Sequence, residues 1–161
     1  MNVNECAWVI KKLGYNSDDI INSNNLENRL VIQKIIYFLR YVKNKNTRDE
    51  EFSLYIRGPY SKTLANICYV LAKDKNYESR ISELSNKYEV NTEIEKIIDD
   101  FRNKDIWWME LANTIIMIYR RDISITKEEL FTLVKSAEPW ATKNTFGKVI
   151  KGLRQMNIIN I

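Results

Sequence analysis

Residues 26–42, LENRLVIQKIIYFLRYV, constrain the fold of this chain more than any other segment, because they are apolar on nearly every side of a helix. Leu30, Ile32 and Phe38 cannot share one face, since successive residues of an α-helix point about 100° apart. A helix that is apolar all round is normally buried on most sides. We therefore predict a central helix around which the rest of the fold packs.

A thin polar stripe interrupts the apolar surface of this predicted helix. Its members recur at helical spacing and are Arg29, Gln33, Tyr37 and Arg40. Tyrosine and arginine are enriched in protein–protein contact sites, which favours a contact role for the stripe. Buried polar groups also need hydrogen-bond partners, so a structural role stays open.

The composition favours a mostly α fold. Apolar residues make up 45% of the 161 residues, and the chain contains only 4 Gly and 2 Pro, which argues against disorder and against a turn-rich β fold. Apolar residues at helical spacing predict further helices in 4–13, 94–101 and 106–119. We predict a compact multi-helix domain with a helical core in 1–122 and a helix-turn-helix-like part in 123–161, packed on the same core.

The segment FSLYIRGPYSKTL, residues 52–64, contains a sharp change of pattern. Apolar and polar residues alternate in 52–57, which predicts a short extended segment or hairpin. We expect Gly58 and Pro59 to turn this segment directly into a helix, with Pro59 in the first helical turn. The amide of Gln33 is a candidate partner for the backbone of this corner, which includes Tyr60 and Ser61.

The last third of the chain predicts two consecutive helices. Thr126 and Glu129 have the spacing of a capping box, Pro139 ends the first helix, and Thr142 or Asn144 begins the second. An extended end follows. This order resembles a winged helix-turn-helix unit and opens an alternative function, DNA binding by a regulator that uses residues 142–156.

Four basic residues carry this alternative: Lys143, Lys148, Lys151 and Arg154. They are placed to contact a few phosphates with little sequence preference. The structural alternative is a solvated basic face, which acidic neighbours such as Glu128, Glu129 and Glu138 dilute. The net charge of +4 is too small to decide between the two.

Several classes of chemistry are excluded or disfavoured. The chain contains no His, so Ser-His-Asp and Cys-His catalysis are excluded. Adjacent carboxylates such as Asp99 and Asp100 point apart on a helix, and no glycine-rich phosphate loop occurs. The two cysteines are expected to be buried thiols. We expect no enzyme activity, no metal and no cofactor.

The helix and corner motifs resemble the YwgA-like family, which is akin to the Panacea (SocA-like) domains. The positions that carry this resemblance are Arg29, Leu30, Gln33, Lys34, Tyr37, Phe52, Tyr55, Gly58, Pro59, Tyr60 and Ser61. The segment ELFTLVKSAEPWATKNTFGKVIKGLRQMNII is similar to the closing helix pair of the family. The resemblance implies a mostly helical, non-catalytic domain, and some Panacea-type relatives act as protein-binding antitoxins or adaptors.

We therefore expect a non-catalytic protein-binding domain that acts stoichiometrically, either antitoxin-like or as a defence- or phage-associated adaptor. The residues predicted to bind the partner are Arg29, Arg40, Tyr55, Arg57, Tyr60 and Trp140, and those predicted to build the corner are Gln33, Gly58, Pro59 and Ser61. Trp107 and Trp108 are expected in the core. We expect a cytoplasmic location without membrane contact, and DNA or a second copy of the chain remains open as a further partner.

Overall fold

The computed structural model describes residues 1–45 and 51–161 and shows a mostly α protein, as predicted. In these ranges the helices are α1 (Val3–Leu13), α2 (Ser17–Ile21), α3 (Leu26–Lys43), α4 (Lys62–Ala72), α5 (Tyr77–Asn86), α6 (Thr92–Arg102), α7 (Ile106–Tyr119), α8 (Lys127–Ala137) and α9 (Lys143–Gln155), with one 3-10 turn at Ser23–Asn25. A two-stranded antiparallel sheet consists of β1 (Ser53–Tyr55) and β2 (Gly58–Tyr60).

Helix α3 is the central helix that its sequence predicts. It contacts α1, α6, α7 and β2, and the side chains of Ile32, Ile36 and Leu39 are completely buried. Phe38 stacks on Phe101 of α6 with their ring centroids 3.9 Å apart. Each such side chain contributes roughly 1.5–3 kcal/mol of burial free energy, so the packing around α3 stabilises much of the fold.

The corner after residue 57 differs from the prediction in one respect. Gly58 and Pro59 do not begin a helix, because they form β2, in which Tyr55 pairs with Gly58 and Leu54 with Pro59. The φ angle of Gly58 is 89°, which is incompatible with a helix. Pro59 lacks an N–H, but a strand of a two-stranded sheet is an edge strand and tolerates it. Helix α4 begins only after Ser61, whose side chain caps it.

Helix α7 supports the C-terminal part of the chain. Leu111, Ala112 and Ile115 of α7 are fully buried, and α7 packs against α8 and α9. Thr126 and Glu129 form the predicted capping box of α8, and Thr142 caps α9. The described residues beyond α9 form a turn and an irregular tail without a strand, so the likeness to a winged helix is limited to the helix pair.

Among the helices in residues 1–45 and 51–161, none is both long enough and apolar enough to cross a membrane.

Candidate functional site

The hairpin is attached to α3 by two neighbouring polar residues. The side-chain amide of Gln33 donates to the carbonyl oxygen of Ser61 at 2.8 Å and accepts from the Ser61 N–H at 2.9 Å. Lys34, only 1% exposed, donates from Nζ to the carbonyl oxygen of Arg57 at 2.7 Å. The residues on either side of β2 are therefore hydrogen-bonded to side chains of the central helix.

Lys34 is a charged residue in an environment that disfavours its charge. Burial lowers the pKa of its ammonium to about 8, and the nearby carboxylates of Glu110 and Glu138 act in the opposite direction. The side-chain amide of Asn113 donates to the Lys34 carbonyl oxygen at 2.8 Å, while its own Oδ1 is buried without a partner among the described residues. This part of the core is polar and partly unsatisfied.

Glu138 lies on the opposite side of this polar region and is fully buried. Its two oxygens accept from Thr114 Oγ1 at 3.0 Å and from the indole N–H of Trp140 at 2.9 Å. Burial raises the pKa of Glu138 to about 7, and the neighbouring carboxylate of Glu110 adds to the increase. The expectation that Glu138 is a surface charge beside a basic patch is wrong, because at the end of α8 its side chain turns into the core.

The remaining carboxylate connects this buried region to the hairpin tip. Glu110 is 5% exposed, and its Oε2 lies 3.6 Å from Nε of Arg57. A Cβ added at Gly58 would meet the backbone oxygen of Glu110 and Oγ1 of Thr114, each at 3.4 Å. With its positive φ, Gly58 allows the hairpin to approach α7 this closely. Lys34, Glu110 and Glu138 therefore form a polar cluster beneath the hairpin.

Around this cluster we group five side chains under the name hairpin–tryptophan face: Tyr55, Ile56, Arg57 and Trp140, which are exposed, and Trp107, which is half-buried. Ile56 at the hairpin tip is 89% exposed, and Trp140 is 42% exposed. Trp140 meets Trp107 edge-on at a ring-centroid distance of 6.4 Å. Arg57 and Trp140 each contact a carboxylate of the cluster, so the hairpin and the α8–α9 turn flank the same polar region.

The other residues predicted to bind a partner, Tyr60, Arg29 and Arg40, lie in separate parts of the structure. Tyr60 is partly buried, with its ring edge-on to Tyr55 at 5.5 Å. Arg29 donates to the carbonyl oxygens of Ile20 and Asn22 at 3.0 and 2.8 Å, which closes the C-terminal end of α2.

Arg40 occupies the other end of the central helix. Its Nε donates to Glu5 at 2.9 Å. The two arginines of the predicted stripe, Arg29 and Arg40, are roughly 16 Å apart along α3, and the intervening Gln33 and Tyr37 are buried. Gln33 and Tyr37 therefore have the structural role that the sequence left open for the stripe, because α3 is surrounded by the fold.

The basic residues of α9 also separate into two groups. Lys143, Lys148, Lys151 and Arg154 are all exposed. Lys151 and Arg154 line a groove beside the C-terminal tail, while Lys143 and Lys148 lie outside the lining of that groove. The two pairs differ in their position along α9, with Lys143 and Lys148 in its first half and Lys151 and Arg154 in its second.

Cysteine and metal chemistry are not supported by the described part of the chain. Cys6 and Cys68 are free and buried, and burial raises the pKa of the Cys68 thiol to about 12. In residues 1–45 and 51–161, no group of three or more Cys, Asp or Glu side chains is arranged to hold a metal ion.

The fold and the site together define a mostly α domain with a β-hairpin that is hydrogen-bonded to the central helix and contributes to the hairpin–tryptophan face. In comparisons with known proteins, no family model matches the chain, and no curated protein or solved structure matches it significantly.

Proposed function

We propose that the chain is a non-catalytic protein-binding domain that binds one protein partner stoichiometrically through the hairpin–tryptophan face. The observation that carries this proposal is that exposed Arg57 and Trp140 each contact a carboxylate of the buried polar cluster, while Ile56, beside Arg57 at the hairpin tip, is 89% exposed. Tryptophan, tyrosine and arginine dominate the energetically important positions of protein interfaces. A face that is already held in place also loses less conformational entropy when it binds.

The polar cluster acts as the support of this face. Glu110 and Glu138 are 5% and 0% exposed, and Glu138 is hydrogen-bonded to Thr114 and Trp140. Carboxylates that are enclosed and engaged in this way position the side chains that they contact, here Arg57 and Trp140.

The resemblance to YwgA-like and Panacea-type domains supports the same kind of function. It suggests an antitoxin, or an adaptor associated with defence or phage genes, whose partner presents apolar side chains to Ile56 and Trp140 and a carboxylate to Arg57. We propose that binding covers an active or functional surface of that partner.

The test compares two exposed aliphatic residues. Ile56→Glu places a charge at the hairpin tip, and Val70→Glu places the same charge on α4, where Val70 is 69% exposed. The full-length chain and both variants are used to capture proteins from native lysate, and the stoichiometry of the complex is measured by native mass spectrometry. A one-to-one partner is expected with the parent chain and with Val70→Glu. For Ile56→Glu we expect an affinity lower by about tenfold or more.

Equal retention of the partner by both variants would place the interface elsewhere on the molecule. Failure to capture any protein whose binding depends on Ile56 would contradict the proposal.

A further inference from the structure

A second surface of the molecule has a different chemical character. A groove of about 940 Å³ lies between the C-terminal half of α9, the beginning of α8 and the irregular tail that follows α9. Its cationic lining residues are Lys45, Lys127, Lys151 and Arg154. None of the described residues that line it is acidic. The groove shares no residue with the hairpin–tryptophan face.

The four cations of this groove are available to a ligand. All four are exposed, and within the described ranges none of them forms a salt bridge. Lys45 donates to the carbonyl oxygen of Asn157 at 3.0 Å, which leaves its charge uncompensated. By contrast, Lys12 and Arg40 lie within 4 Å of carboxylates. Like charges around a concave surface concentrate positive potential and attract anions.

The groove also contains apolar surface beside its cations. Tyr119, at the end of α7, is partly exposed, and Ile123 is 74% exposed. Gly147 of α9 lines the groove without a side chain, and a Cβ added there would meet nothing within 4 Å. A basic groove with an aromatic ring is the combination that binds single strands, because phosphates pair with the cations and bases stack on the ring.

We propose that this groove binds single-stranded nucleic acid, a function beyond the protein binding proposed above. Phosphates contact Lys45, Lys127, Lys151 and Arg154, and a base stacks against Tyr119. The shape of the groove favours a single strand over a duplex. A duplex is read by a helix that protrudes into its major groove, whereas Lys151 and Arg154 lie inside a concave surface that a flexible strand can enter.

The test measures fluorescence anisotropy of a labelled oligothymidylate of about 20 nucleotides, longer than the roughly 4–16 nucleotides that a single OB fold covers. Salt is varied from low to physiological concentration. With four cations engaged, the logarithm of affinity is expected to fall against the logarithm of salt with a slope of about −2.8, since each neutralised phosphate of a single strand contributes about −0.7.

Helix α9 itself offers a matched pair of double variants. Lys151→Ala with Arg154→Ala removes two charges from the groove, and Lys143→Ala with Lys148→Ala removes two exposed charges outside its lining. The first pair is expected to reduce the slope to about −1.4. The second pair is expected to retain the parent slope. Circular dichroism and thermal unfolding of the two double variants check that both of them are folded.

Two further variants test the ring of Tyr119 and the free space beside Gly147. Tyr119→Leu removes the ring, and an affinity lower by about tenfold is expected at constant slope. Gly147→Glu adds a negative charge where the structure has free space, and it is also expected to lower the affinity without loss of thermal stability.

Four outcomes would overturn the proposal. The first is no binding of the oligothymidylate at low salt. The second is an equal loss from the two double variants, which would indicate non-specific attraction by the whole of α9. The third is equal affinity for heparin and for the oligonucleotide with no effect of Tyr119→Leu, which would show a general polyanion site. Tighter binding of a duplex than of the single strand counts against the proposal in the same way.

Discussion

The hairpin–tryptophan face and the basic groove use charged side chains in opposite ways. Beneath the face, Lys34 and Glu138 are buried and hydrogen-bonded to groups of the protein itself. In the groove, Lys151 and Arg154 are exposed and, in the described part of the chain, form no ion pair. Charges of the first kind hold the structure together, whereas charges of the second kind remain available to a ligand.

This comparison indicates where substitutions should affect folding. A buried polar group that loses its partner keeps the full cost of its desolvation, and an exposed group is compensated by water. Changes beneath the hairpin should therefore lower stability, and changes in the groove should leave it nearly unchanged. Three measurements, given from the largest expected effect to the smallest, test this difference.

The largest effect is expected from Gln33→Ala. It removes both hydrogen bonds to Ser61 and leaves a buried backbone N–H and a buried backbone carbonyl unpaired. We expect the free energy of unfolding to fall by about 2–4 kcal/mol. The matched control is Gln155→Ala, because Gln155 is exposed in the groove and should change stability by less than about 0.5 kcal/mol. Urea denaturation followed by circular dichroism measures both; equal losses would remove the distinction between the regions.

A pair of glycines gives an effect of opposite sign in the two regions. Gly58→Ala introduces a Cβ at a φ of 89° and close to Glu110 and Thr114, and it should cost about 1–3 kcal/mol. Gly147→Ala adds a methyl group in open space within α9 and should stabilise by up to about 1 kcal/mol, because alanine is the better helix former. The midpoints of thermal unfolding should move in opposite directions. A shift of both in one direction would contradict the described backbone.

The smallest effect is a dependence of stability on pH. The pKa of Glu138 is raised from 4.5 to about 7 in the folded chain, chiefly by burial. Between these values the folded state binds more protons than the unfolded state, so this group's contribution to stability is present below pH 4.5 and is lost as the pH rises towards 7. We expect a loss of at least about 1 kcal/mol across this window, since each pH unit over which only the folded state is protonated corresponds to up to about 1.4 kcal/mol.

Glu138→Gln provides the control for this titration. The amide keeps the shape of the side chain but has no proton to lose, so its variant should show a flatter pH dependence between 4.5 and 7 even if its stability is lower at every pH. Denaturant titrations at several pH values measure the difference between the two curves. Identical slopes for the parent and the variant would show that Glu138 is not protonated in the folded chain.

Local patterns in the sequence predicted the elements that depend on local physics. The apolar circumference of residues 26–42 predicted the buried helix α3, and the spacing of Thr126 and Glu129 predicted the start of α8. The end of the hairpin was harder, because proline is favourable both in a first helical turn and on an edge strand. The positive φ of Gly58 decided in favour of the strand.

The candidate site was predicted only in part. Exposed aromatic and arginine residues near the corner were identified from their residue types, and the structure adds that Arg57 and Trp140 flank one polar cluster. Lys34 and Glu138 were missed, since lysine and glutamate are normally exposed. The sequence contains one indirect signal for Lys34, its position within a helix that is apolar on every side.

By itself, the sequence determined that this protein is mostly helical, that α3 is central and that histidine chemistry is excluded, because these properties follow from composition and from periodicity within one element. Only the tertiary structure decided which charges are buried and which remain free. Lys34 and Lys151 are the same residue type on two helices, and they differ because one lies beneath a hairpin and the other faces an open groove. Burial depends on neighbours from distant parts of the chain, and these neighbours are brought together only when the chain folds.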